Sequence, residues 1–551
     1  MEKRLLIAIV LSFLVLVLYQ AVFLKQEPAP EPVTQAPQTT ETTPAAVEPT
    51  PEPLPSQQPE EKPKEGEAEF EPVSAQHEEE IRVDTSLYHA VWSNKGAVLK
   101  SWKLKEFFRD NKEENIDLVS YQSSEINKYP FSIITEDPRF AAELNSSLFI
   151  SSSSSLELQN GKTGEIRFEF ADDAGTRVEK IFKFSDGTYY FDVQINIWRN
   201  GQKINSGLRW GPSIRNPSLE EQKGRFGANK GITVLAANKV YNLEEKKYKP
   251  EQSVFNFVNW AAYSDNYFTA LFITTAQNAS ASLIKEEIDS NPFFFLQVNS
   301  VQQAYLGPKQ YDLLADFGHN AQKLVRFGLF GFIAEILYKA IKAIHKTIPN
   351  WGFCIIILTL IIKILFFPLT YSSTKSMARM QELQPKLKAL KAKYKKAKQD
   401  IAQRRKLNEE TMALYKAHGV NPAGGCLPLL IQLPIFWGFF RLLVVAVEFR
   451  HSPFILWIND LSVKDPYYIT PILMGITQFI SQKMTPTSAD SSQQKMMLIM
   501  PVVMTIFFMN FQSGLVLYWL TNNVLQIGQQ YITNKLMKKK KRESNAKRRK
   551  K

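Results

Sequence analysis

Apolar runs long enough to cross a lipid bilayer constrain this 551-residue chain more than any other feature. About 20 apolar residues in a helix span the ~30 Å hydrocarbon core of a membrane. Leu5–Leu24 is such a run, interrupted only by Ser12, Tyr19 and Gln20 and preceded by Lys3 and Arg4. Five more lie in the last 200 residues, at Trp351–Thr370, Leu427–Phe449, Pro466–Gln482, Met496–Phe511 and Gly514–Thr533. The chain therefore reads as a six-helix, multi-span α-helical membrane protein. The first run reads as an uncleaved anchor (residues 1–25), because no small-residue cleavage site follows it; a removed signal peptide is the alternative.

Charge sets the orientation. The net charge of +13 is concentrated in two blocks, Tyr371–Gly425 and Lys535–Lys551, on an otherwise mildly acidic chain. Cationic loops stay on the cytoplasmic side. With Lys3 and Arg4 inside, six crossings put residues 25–350 outside and bring both basic blocks inside. Cys354 and Cys426 then lie near opposite membrane faces, too far apart for a disulfide.

Residues 26–80 are rich in Pro, Glu, Thr and Gln and form a flexible linker. Residues 81–318 change to period two. IRFEF, TRVEKIFKF and TYYFDVQINIW alternate apolar and polar residues and are separated by the turn sequences DDAG and SDG. This pattern predicts antiparallel sheets packed as a sandwich. It shows no catalytic constellation, so a docking or structural domain is expected, with sugar binding as the alternative. Residues 319–349 predict an amphipathic helix in the membrane interface.

The cytoplasmic segment 371–425 predicts two helices forming a hairpin. Met377, Met380, Leu383, Leu387, Leu390 and Tyr394 make a coiled-coil-like stripe on the first. The outer face carries Lys391, Lys395, Lys396, Arg404 and Arg405. The tail, 534–551, includes Lys539, Lys540 and Arg548 and is too polar to fold by itself. Both blocks suit a polyanion, either anionic lipid of the inner leaflet or ribosomal RNA.

Lys363 is a charge inside the second run, roughly 10 Å from its cytoplasmic end. Such a residue either snorkels to the headgroups or faces a wet interior. Thr359 lies one turn away on the same face. Gln432, Gln478, Asn522, Asn523 and Gln526 lie in other spans, so together they predict a wet groove. With no acidic partner within the spans, Lys363 is available to a carboxylate from outside the protein. Arg441, nearer the external face, is expected to snorkel outward with help from Glu448. Met496, Met497, Met500, Met504 and Met509 cluster on the fifth span, a composition suited either to varied apolar partners or to ordinary packing.

NWGFCIIILTLIIKILFFPLT, QPKLKALK, LYKAHGVNPAGGCLPLLIQLPIFWGFF, DPYYITPILMG and SGLVLYW closely resemble the YidC/Oxa family of membrane protein insertases, over roughly Gly328–Tyr531. The anchor, the large β region and YLGPKQYDLL resemble the long Gram-negative form. The resemblance implies a five-helix insertase core (residues 350–533) and a periplasmic β-supersandwich. It implies a groove open to the cytoplasm, where Lys363, Thr359, Gln432, Gln478, Tyr518, Trp519 and Asn522 contact the incoming chain. It also implies an apolar slide on the third and fifth spans, including Phe436, Met496, Met500 and Met504. The family's groove cation is usually arginine, where this chain has Lys363, and Trp519 stands where a tyrosine is expected.

The implied function is insertion and chaperoning of inner-membrane proteins, alone or beside the Sec translocon. No catalytic residue, metal or cofactor is implied. Implied partners are nascent membrane proteins, Sec components, the ribosome and anionic lipids, with the insertase working as a monomer in the inner membrane, both termini cytoplasmic. A transporter or channel would show acidic relays or inverted repeats, and the sequence has neither.

Overall fold

The computed structural model describes residues 72–110, 113–217, 230–328, 330–394, 400–420, 427–485 and 491–549. The Leu5–Leu24 anchor, most of the linker, Lys395, Lys396 and Cys426 lie outside the described residues, as do the side chains of Met496, Met497, Lys540 and Arg548.

Three sheets are built from the alternating segments. A ten-stranded sheet contains the three strands expected from the sequence, Thr163–Ala171, Thr176–Ser185 and Tyr190–Arg199, paired antiparallel in that order. Asp172 makes the first turn by accepting from the amides of Ala174 and Thr176 at 2.9 and 2.8 Å. Gly175 supplies the positive φ that the turn needs. A second sheet holds Glu80–Asp84, Tyr88–Ser93 and Val98–Phe108, with the short strand Ser155–Glu157 added in parallel at its edge. The third runs from Val254–Asn256 through Ser280–Ile288, Asn291–Asn299 and Gly207–Trp210 to Ser132–Ile134.

Aromatic side chains join the layers. Trp92 of the second sheet packs 4.3 Å from Phe182 of the large sheet, and the Trp102 indole donates to the Leu306 carbonyl at 3.1 Å. Trp210 of the third sheet lies 6.0 Å from Phe272. Lys180 is completely buried at this junction. Its ammonium donates to the carbonyls of Gly96, Ala97 and Phe131 at 2.8, 3.0 and 2.9 Å.

The rest is helical: α1 (Gly331–His345), α2 (Trp351–Leu365), α3 (Phe367–Glu382), α4 (Gln384–Lys393), α5 (Ile401–Ala417), α6 (Leu427–Val445), α7 (Ile469–Met484), α8 (Ser491–Phe508) and α9 (Ser513–Arg549). Among the described residues, no single helix is long and apolar enough to cross a membrane; the pair α2 and α3, bent by 60°, is. The run read as one span, Trp351–Thr370, is thus broken at Phe366. Pro368 explains the break, since its ring and missing N–H disrupt the helical ladder one turn back. Pro385 acts in the same way on the expected Met377–Tyr394 stripe, which divides at Leu383 into α3 and α4. Only Met380 and Leu383 of that stripe are buried, packed with Val420. The tail, read as unfolded, continues α9 to Arg549. Lys and Arg are good helix formers, and a helix already nucleated in the apolar region propagates into them easily.

Candidate functional site: polar contacts between helices α2, α7 and α9

Lys363 lies in the last turn of α2. There the helix dipole and the last free carbonyls favour a cation. Its Nζ donates to Gln526 Oε1 of α9 at 2.8 Å. Among the described residues its partner is this neutral amide rather than a carboxylate, so its charge is positioned without being cancelled.

α9 organises the site. Trp519, Asn522, Asn523, Gln526, Gln529 and Gln530 recur at helical spacing and form a polar stripe along it. Trp519 Nε1 donates to Gln478 of α7 at 3.2 Å. The Asn523 amide donates to the Met474 carbonyl at 3.1 Å. Gln529 bonds Thr370 of α3, and Gln530 bonds Asn534 at 3.0 Å. Asn522 is buried on the same stripe, and Gln432 is half-buried on α6. Gln529, Gln530 and Thr370 went unnoticed in the sequence, although the spacing from Trp519 to Gln530 was there to find them.

Thr359 is buried, and its hydroxyl donates to Ile355 of its own helix at 2.6 Å, so it is not offered to Lys363. Tyr518 is buried and stacked on Phe439 at 4.5 Å, away from the polar contacts of the stripe. Trp519 instead packs among aromatic rings, 5.0 Å from Phe436 and 5.3 Å from Phe508.

Outside these contacts the helices present bare apolar surface. On α8, Ile499, Val502, Val503 and Ile506 are exposed, with Met500 also exposed and Met504 half-buried. On α2, Ile364 and Leu365 flank Lys363 and are exposed. Apolar patches of this extent have no place in water and suit lipid. The α8 face is more β-branched than the methionine count suggested.

In the hairpin, Tyr394 donates to Glu410 at 2.6 Å, joining α4 to α5. Lys391, Arg404, Arg405 and Lys539 are exposed, and Arg405 pairs with Glu409 one turn on at 3.0 Å. Arg441 differs from expectation. It donates to the Arg326 carbonyl at 2.8 Å, while Tyr338 takes Glu448 at 2.7 Å. Cys354 is buried and free. No group of three or more His, Cys, Asp or Glu residues among the described residues could hold a metal.

The helices thus carry a seam of polar side chains between them and apolar side chains on their exposed faces, and a large β domain is attached to them. Residues 343–541 match the family described as 60Kd inner membrane protein, and residues 80–340 match the YidC periplasmic domain. Membrane protein insertase YidC of Syntrophus aciditrophicus is 38% identical over 97% of this chain and all of its own length. That of Geotalea daltonii is 37% identical over 97% of this chain and 99% of its own. A crystal structure of an active YidC insertase aligns with 84% of this chain and 95% of its own at 19% identity, with a TM-score of 0.37. The chain belongs to the YidC family of membrane protein insertases.

Proposed function

We propose that the seam between α2 and α9 receives the polar segment of a protein being inserted, while the apolar faces of α6 and α8 pass its hydrophobic segment to lipid. The chain is a membrane protein insertase and chaperone, like the relatives it matches across nearly its full length. The observation that carries the mechanism is Lys363, held by Gln526 at the end of α2 beside exposed Ile364 and Leu365. A client's acidic side chain gains a partner there while still part-hydrated, which lowers the desolvation cost of entering the membrane. Each apolar side chain then delivered to lipid gains roughly 1.5–3 kcal/mol, and the membrane potential adds about 2.3 kcal/mol per charge per 100 mV.

In this reading six helices span the inner membrane, with α2 and its continuation as the second. Both termini are cytoplasmic and the β domain, a supersandwich, is periplasmic. Thr359, Gln432, Gln478, Tyr518, Trp519 and Asn522 complete or support the groove, and Phe436, Met496, Met500 and Met504 belong to the slide. The hairpin and tail cations, among them Lys391, Lys395, Lys396, Arg404, Arg405, Lys539, Lys540 and Arg548, meet the ribosome or anionic lipid. The protein works as a monomer, alone or beside the Sec translocon.

The test is insertion of a small client with an acidic translocated segment, in cells depleted of their own insertase and matched for protein level. Lys363→Arg should support insertion, whereas Lys363→Gln and Lys363→Glu should lose most of it. Equal insertion by all four chains would mean that Lys363 only snorkels.

A further inference from the structure

A cleft of about 530 Å³ opens in the β domain. Lys95 and Val98, which flank the Gly96–Ala97 turn, and Ser132, which follows Phe131, line it, so it lies over the junction that Lys180 holds. Its volume falls in the range of ligand sites.

Four cations, Lys95, Lys100, Lys128 and Arg209, line the cleft against two carboxylates, Glu78 and Glu286. Glu286 is shared between Lys128 at 2.6 Å and Arg209 at 2.9 Å. Glu78 stands 3.5 Å from Lys100. Two positive charges are left over. Three of the cations, Lys100, Lys128 and Arg209, are also pinned in place. Arg209 lies 4.9 Å from the ring centre of buried Phe295, and Lys100 sits 3.8 Å over Tyr129. Side chains already fixed lose little entropy when a ligand binds. Among the described residues the Nε of Arg209 is buried without a hydrogen-bond partner, and the surplus of two positive charges around the cleft favours an anionic ligand.

Two other modes of binding fit less well. The edge strand Ser132–Ile134 does not accept an added strand at Ile133, because Asn145 occupies both its N–H and its carbonyl, at 2.7 and 2.9 Å. A neutral sugar would leave the excess charge unused, and the face of Tyr129 on which it would stack is covered by Lys100.

We propose that this cleft binds acidic polypeptide, namely the exported segments of proteins that the insertase delivers. This rests on the insertase reading above. Segments that cross a membrane are poor in Lys and Arg, so their carboxylates arrive uncompensated on the periplasmic side. The cleft would hold such a segment briefly while the rest of the client is inserted.

The test uses the full chain in nanodiscs of zwitterionic lipid and fluorescence anisotropy of a labelled Glu/Ser-rich peptide. Its Gln/Ser counterpart should bind at least about tenfold more weakly, and the double variant Lys95→Glu/Lys128→Glu should weaken the acidic peptide by a similar factor. Lys95→Glu alone, at an exposed position, should show part of the loss without a folding defect. The Lys363→Glu chain should bind the peptide normally while failing to insert its client, which separates the two readings. Equal binding of the acidic and neutral peptides, or acidic-peptide binding untouched by the double variant, would overturn the proposal. So would displacement of the peptide by a neutral oligosaccharide.

Discussion

Lys180 holds three carbonyls whose residues, Gly96, Ala97 and Phe131, all have positive φ. Two of these are not glycine, and the left-handed conformation costs such residues roughly 1–2 kcal/mol each. The strain is tolerated because it aims three acceptors, one pair from the second sheet and one from the edge of the third, at a single ammonium of the large sheet. Lys180→Met would strand those carbonyls, and we expect a loss of about 3 kcal/mol, read by thermal unfolding of the full chain. Burial also pushes the Lys180 ammonium down from its ordinary 10.5 to about 7. Below about pH 7 both folded and unfolded forms carry the proton, so this group adds no slope. Between about 7 and 10.5 the unfolded form binds more protons, so stability rises with pH. The advantage of wild type over Lys180→Met should therefore widen between pH 7 and 9, by on the order of 2 kcal/mol. A constant gap would mean that Lys180 remains charged in the fold throughout. In TRVEKIFKF this lysine falls on the same face as Val178, Phe182 and Phe184, a signal that it is buried; its partners are on turns far away in the chain.

At the scale of elements, the bend between α2 and α3 is what puts Lys363 at a helix end rather than in mid-span. Pro368→Ala restores a donor and removes the clash, so the two helices should run closer to straight. Spin labels at Phe353 and Arg379 are each about 20 Å along a helix from the Phe366 break. Unbending 60° should lengthen their separation by roughly 5 Å, measured by electron–electron dipolar spectroscopy, and client insertion should fall with it. An unchanged distance would show that packing of α2 and α3 on α9 sets the bend. The same elements show what a sequence reveals. Period-two strands with Asp-Gly turns were legible because burial alternates with the pleat. Lys363 and Gln526 stood out because polar groups in apolar runs are costly, whereas Trp519 was named only through the family resemblance. The breaks at Phe366 and Leu383 were also written in the chain, as Pro368 and Pro385, but apolar periodicity outweighed them. The cleft was not legible, since Lys95, Lys128, Arg209 and Glu286 come from four separate segments.

In the whole molecule, two sets of polar contacts among the described residues join the β domain to the helices, beside the apolar core that they share. One joint follows the chain, where Tyr311 donates to Glu335 at 2.9 Å and Lys342 pairs with Asp312. The other closes across more than 300 residues. Arg450, just beyond α6, donates to the Phe108 carbonyl at 2.7 Å and to Asp110 at 3.2 Å, and His451 stands 3.3 Å from the same carboxylate. The Arg450 side chain is only 5% exposed while Asp110 is 38% exposed, so the guanidinium is held in place and the pair sits at the edge of solvent. One joint alone is a hinge; two fix an orientation. Arg450→Ala should therefore leave the domain attached but free to swing. Labels at Lys183 on the β domain and Tyr467 on the loop before α7 should give a narrow distance distribution in wild type and a clearly broader one in Arg450→Ala. Asp110→Asn, which keeps an acceptor for both partners but removes the charge, should fall between them. If the distribution stays narrow in both variants, the chain joint carries the orientation alone. If it broadens, the β-domain cleft is held in register with the helices by the contacts of Arg450 and His451 with Phe108 and Asp110.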